Sequence, residues 1–190
     1  MEMIKEEFKI ASKAENDRLV AKILADKKFF YTTFEIALST DYPIAWRASW
    51  CLHKALPKYK TEIIADIDRI FKAFPSFSHH GQKGSFIRIL KSIDFDPENA
   101  GNVIDCCLNL LRNEKVPDYV KFYSIELLVK IAHKIPELKS EFAYFIEDVI
   151  PTGKTYMIKV KAKRLLDTNF ISKSELPISL NKQGKNKQIK

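Results

Sequence analysis

The chain has 190 residues, 46% of them hydrophobic and 29% charged, a balance that supports a buried core and excludes wholesale disorder. Five Gly and eight Pro are too few for the many tight turns of a β-rich fold, and no apolar run reaches the roughly 18 residues of a membrane helix. The net charge is +8, but residues 1–153 hold 22 Lys and Arg against 22 Asp and Glu, whereas residues 154–190 hold 10 against 2.

Helical periodicity runs through the chain from residue 16 onward. The N-terminal residues are charged at once and lack the apolar stretch of a secretory signal. A first helix is predicted over 16–28, with Leu19, Val20, Ile23 and Leu24 on one stripe. A second, over 30–39, carries Phe30, Phe34, Ile36 and Ala37. Asp41-Tyr42-Pro43 breaks the chain. The pattern resumes over 44–56 with Ala45, Ala48, Ser49, Leu52 and Leu56 on one face, and Pro57 is expected to stop it. Thr61 is the expected N-cap of a helix through Ile63, Ile67, Ile70 and Phe71, ended near Pro75. Ser78-His79-His80-Gly81 opens the next, with Phe86, Ile87, Leu90 and Ile93.

Asp96-Pro97-Glu98 is a strong helix start, combining a capping Asp, a Pro at the first position and an acid in the positive first turn. Its helix holds Val103, Cys107, Leu110 and Leu111. Pro117-Asp118 separates it from a long helix through Val120, Ser124, Leu128 and Ile131 to about residue 133. After Pro136 comes a helix with Phe142, Phe145, Ile146 and Val149, then a turn at Pro151-Thr152-Gly153 and a last helix over 156–166. This amounts to four antiparallel helix pairs behind one N-terminal helix, in a domain over 1–170. Beyond it, 171–190 reads as a basic, flexible tail.

Small residues recur in the second helix of each pair, at Ser49, Ser85, Ser124 and Ala162, with separations of 36, 39 and 38. Periods of this length belong to helical-hairpin repeats. The third pair reads Val120-Lys121, Ser124, Leu128 after Pro117-Asp118, and the fourth reads Ile158-Lys159, Ala162, Leu166 after Pro151. The first pair is looser, with Ala45-Trp46 and Ser49 after Asp41 and Pro43, and the second matches least, with Gly81-Gln82, Ser85 and Ile89. In these positions the chain resembles the HEAT and armadillo repeats over about residues 30–168. The resemblance implies an all-α, right-handed α-α superhelix of about four pairs, with the second helices lining a concave face.

Recognisable chemistry is scarce. His79-His80 is a poor metal pair, since neighbours on a helix point about 100° apart; helix-start residues is the plainer reading. Glu6-Glu7, Asp66/Asp68 and Glu147-Asp148 read as solvated carboxylates, because glycoside cleavage needs two carboxyls facing across a cleft. Gly153-Lys154-Thr155 echoes a phosphate loop without its upstream Gly or strand. No catalytic set, cofactor fingerprint or metal set is recognised. Cys51, Cys106 and Cys107 are odd in number and two are adjacent, which suits buried thiols in the cytoplasm better than disulfides or zinc.

The densest aromatic-basic cluster is Trp46-Arg47-Ala48-Ser49-Trp50. With Ala45, Ser49 and Leu52 buried, Arg47, Trp50 and Lys54 fall on the far side, and Lys83, Arg88, Lys121 and Lys159 are expected on the same concave wall. The plainer, structural reading is that the tryptophans fill the gap between neighbouring repeats and that Arg47 bonds Asp41 in its own turn. The expected function is a non-catalytic interaction module that binds a protein as a monomer or weak dimer, away from membranes. The alternative is a nucleic-acid-binding protein resembling the DNA alkylation-repair glycosylases that use HEAT-like repeats. A neutral body over 1–153 disfavours it, since phosphate binding calls for basic charge on the folded surface.

Overall fold

Ten α-helices and one π-helical segment follow one another in the computed structural model, which describes residues 2–10 and 12–170, and no strand occurs among those residues. The basic tail expected over 171–190 lies outside them. The helices are α1 (Glu2–Glu7), α2 (Lys13–Ala25), α3 (Lys27–Leu38), α4 (Ile44–Ala65), α5 (Ile67–Ala73), α6 (His80–Ser92), α7 (Gly101–Arg112), α8 (Asp118–Lys134), α9 (Lys139–Val149), the π segment (Met157–Ala162) and α10 (Lys163–Asn169).

Four units follow in chain order: α3 packs on α4, α7 on α8, and α9 on α10, which continues the π segment. The second unit is α5 and α6, joined through the segment between them, where Phe77 stacks on Phe86 of α6 at 4.7 Å. The second helices pack in series, α4 on α6, α6 on α8 and α8 on the π segment, while α5, α7 and α9 pack in series beside them. Ser49, Ser85, Ser124 and Ala162 are all buried, as the repeat spacing predicts. The three serine hydroxyls bond back to Trp46, Gly81 and Val120 carbonyls of their own helices at 2.7, 3.0 and 3.0 Å. Each thereby satisfies itself where neighbouring helices approach closely. One connected apolar core runs from Phe8 to Leu166.

Several local expectations change. The N-terminal helix is two: α1 precedes α2, whose start is fixed by the Ser12 hydroxyl accepting the Glu15 N–H at 3.0 Å. The Ser12-x-x-Glu15 spacing is a sequence signature of that start. A single residue, Asp26, then joins α2 to α3, and its carboxylate accepts the Lys28 N–H at 2.8 Å. α4 is two helical stretches, the first of which runs two residues past Pro57. The chain kinks at Tyr59 (φ −112°, ψ 27°), and Thr61 lies inside the second stretch instead of capping one. Tyr59 is buried, stacks on Phe30 at 4.0 Å and donates its hydroxyl to the Ile23 carbonyl at 2.8 Å. Packing on α2 and α3 thus sets the place of the kink, and proline alone does not.

Most of the long-range hydrogen bonds share one reach, although Gln82 of α6 donates to the Ala37 and Ser39 carbonyls across 45 and 43 residues. Tyr59 to Ile23, Arg69 to Glu35, Lys91 to Glu126, Lys130 to Leu90, Lys134 to Asp94, Thr155 to Asp118 and His133 to Asn169 all span 34 to 40 residues. That is one repeat, so each pair is fastened to its immediate neighbour, as in a quasi-one-dimensional solenoid.

Candidate functional site

Along α4 the residues that face away from the α3 side recur at helical spacing: Trp46, Trp50 and Lys54. On α6 the corresponding stripe is Gly81, Gly84, Ser85 and Arg88, and on α8 it is Tyr119 and Tyr123. These residues, without Lys54, line one groove of about 180 Å³. Its floor is α6, where two glycines let side chains of α4 and α8 approach the backbone closely. A methyl group at Gly81 would fall on the Trp46 indole, whereas one at Gly84 would meet Val120 and Tyr119 only at 3.6 and 3.8 Å. Absence of a side chain at Gly81 is therefore what lets the indole lie against α6.

The groove is braced at its upper end by a ring cluster. His79 caps α6, its Nδ1 accepting the Gly81 N–H at 3.1 Å, which answers the adjacent-histidine question in favour of a helix start. The His79 ring lies 4.6 Å from Tyr42 and 4.7 Å from Trp46. At the lower end stand cations held over rings: Lys54 is 5.3 Å from the Trp50 ring, while Arg88 and Lys91 are 5.3 and 5.7 Å from Tyr123. Lys91 also pairs with Glu126 at 2.6 Å. Burial pushes the His53 imidazole down to about 4, with Arg88, Lys54 and Lys91 adding to the effect, so at neutral pH it is uncharged beside them.

Of the expected wall residues, Trp50, Lys54 and Arg88 come together here. Four others do not. Arg47 turns to the N-terminal segment, where it donates to the Phe8 carbonyl at 2.9 Å and also to that of Lys9. Asp41, its expected partner, pairs with Lys5 at 3.1 Å. Lys121 is only 5% exposed and lines a separate cleft of about 490 Å³ with Glu114, Lys115, Asp118, Lys154 and Thr155. Lys83 lies across α6 from the glycine stripe, near enough to α7 for its charge to bear on Cys106 and Cys107. Lys159 is exposed on the π segment. The wider π turn carries an extra residue, and Lys161 and Arg164, instead of Lys159, line a shallow cleft with Phe122 and Glu126 of α8.

Sequence reasoning missed Tyr119, Tyr123, Gly81 and Gly84. The signal was there: Gly81 and Gly84 three residues apart, and Tyr119 and Tyr123 four apart, each pair on one helix face.

It also missed how charge is sorted. By position along the chain the body is neutral; by layer it is not. The second helices (α4, α6, α8, the π segment and α10) carry 14 Lys and Arg against 4 Asp and Glu, whereas the other described residues carry 13 against 19. Much of that positive charge is committed within the fold. Lys58 bonds the Leu24 carbonyl, Lys130 the carbonyls of Leu90, Lys91 and Ile93, and Lys134 bonds Asp94 and the Phe95 carbonyl.

Other chemistry is quiet. The Cys51 and Cys107 thiols are pushed up to about 12 by burial, and all three cysteines are free. Among the described residues no group of three or more His, Cys, Asp or Glu could hold a metal ion, and no helix is long and apolar enough to cross a membrane. Compared with known proteins, residues 5–168 match the profile of a HEAT repeat domain. No curated protein and no solved structure matches the chain.

Proposed function

Because the chain belongs to the HEAT repeat domain family, we propose that it is a non-catalytic interaction module that binds another protein on the open face of its second helices. The observation that carries this reading is the groove itself: two tryptophans, two tyrosines and an arginine converge over a glycine floor. Trp, Tyr and Arg are the residue types that dominate binding hot spots, and they do so when clustered in a desolvated pocket. On this reading the module works by binding and not by turnover, and the protein is a monomer or weak dimer of the cytoplasm, where Cys51, Cys106 and Cys107 stay as thiols.

The test is affinity capture from the cells that make the protein, with three forms as bait: wild type, Trp50→Ala, and Lys72→Glu on the exposed face of α5. A protein retained by wild type and Lys72→Glu but lost from Trp50→Ala supports the module. Equal recovery with all three baits sinks it. The nucleic-acid alternative makes a different forecast, a low-salt complex with DNA that weakens steeply as salt rises.

A further inference from the structure

We infer that the groove between Trp50 and Tyr123 takes an acidic segment of a partner protein, with one large apolar side chain seated between the aromatic walls and carboxylates meeting Lys54 and Arg88. This rests on the interaction-module reading and adds the chemistry of the partner.

Charge complementarity argues for it. The helices that carry Lys54 and Arg88 offer them no acidic neighbour of their own: neither α6 nor the part of α4 over 44–58 contains any Asp or Glu. Lys54 and Arg88 are presented in fixed places, each with its charge over an aromatic ring at 5.3 Å. Cation–π contact orients a charge without neutralising it, so these two remain available to a carboxylate. The aromatic walls, with the Trp46 indole laid on Gly81 and no side chain at Gly84, leave a groove of about 180 Å³, room for a single bulky apolar group.

A nucleic acid is the other acidic occupant, and the layer suits it poorly. A phosphate chain is gripped by a continuous track of uncommitted cations. Here the track is broken: Arg47, Lys58 and Lys130 are spent on backbone carbonyls, Lys134 on Asp94 and Lys91 on Glu126. What remains beside the groove is a pair of charges, which matches a short run of Asp or Glu next to an apolar anchor.

The protein supplies its own reporter, because both of its tryptophans line the groove. Intrinsic fluorescence of the full chain is titrated with four probes. These are a short peptide of Asp and Glu around one Phe, the same peptide with Ala for Phe, a Lys peptide around Phe, and oligo-deoxythymidine. The expected result is a saturable change with the first and binding at least tenfold weaker with the second. The third gives none. Arg88→Glu and Lys54→Glu each weaken the acidic peptide about tenfold or more, while Lys72→Glu leaves it unchanged, with circular dichroism showing all three variants folded. No saturable response to the acidic Phe peptide, equal response to the Lys peptide, or tighter binding of oligo-deoxythymidine overturns the inference. Capture of a groove-dependent partner that has no acidic segment sinks this inference alone, whereas absence of any groove-dependent partner sinks the module as well.

Discussion

The Asp118 carboxylate accepts the Thr155 backbone N–H at 2.7 Å, so the start of one second helix holds the turn that leads into the next. It also accepts the Lys154 N–H, at 2.8 Å.

Asp118→Ala should therefore loosen the fourth pair before the rest. A loss of about 1–2 kcal/mol is expected, the cost of removing a charged acceptor from two backbone donors. Hydrogen exchange checks it: α9, the π segment and α10 should lose protection while α3 and α4 keep theirs. Burial raises the Asp118 carboxyl, but hydrogen bonds from Thr155 and Lys154 outweigh it and hold it below its usual 3.8. The contribution is thus full above that value and disappears as pH falls through the depressed one.

Lys130 is one of the fastenings between the second and third pairs, beside Lys91 to Glu126 and Lys134 to Asp94. Burial lowers its ammonium pKa, yet it donates to three carbonyls at the end of α6. Lys130→Met keeps the aliphatic stem and strands those acceptors. Urea unfolding should show a loss of about 2 kcal/mol or more, and an unchanged midpoint would show that water replaces the ammonium without cost.

Gly81 and Gly84 should separate cleanly. Gly84→Ala meets only ordinary contacts and gains up to about 1 kcal/mol of helix propensity. Gly81→Ala places its methyl on the Trp46 indole, so the ring must leave α6. The measurable sign is a shift in tryptophan emission in Gly81→Ala alone, together with lowered thermal stability.

His53 makes the pH forecast. Its folded value of about 4 lies below the ordinary 6.5, chiefly through burial. The neutral form is favoured by folding, so its stabilising contribution is complete above 6.5 and declines as pH falls from there towards 4. Imidazole chemical shifts should stay flat from neutral pH to about 5. Titration near 6.5 would mean that the ring is open to water in solution.

The pairs, their order and most of their boundaries were legible because each is punctuated by proline or a capping Asp and patterned at helical period. Asp96-Pro97 does open a helical stretch: the Asp96 carboxylate accepts the Glu98 N–H at 3.0 Å. What could not be read locally was set by neighbours one repeat away. Tyr59 rather than Pro57 places the break in α4 because its ring and hydroxyl are held by Phe30 and Ile23. Of the groove, the α4 half was visible as Trp50 and Lys54, and Arg88 followed from the repeat. The α8 half was not, because two tyrosines on an amphipathic helix look like core. Arg47 and Lys121 were misplaced for the converse reason. A charged side chain was assumed to seek solvent, whereas Arg47 caps the carbonyls of the N-terminal segment and the Lys121 stem is buried.

The one-repeat reach of the polar bonds has a mechanical meaning. A load applied between the ends of the molecule passes through each joint in turn, because bonds such as Lys130 to Leu90 tie adjacent pairs and do not bridge over them. Compliances of successive joints then add as they do for springs in series, and the whole can flex by small turns at every junction. The distance between Trp50 and Tyr123, which straddle α6, is a sum of two such junctions. A guest that draws those rings together would bend the molecule at those two junctions, and a force that opens them would loosen the guest.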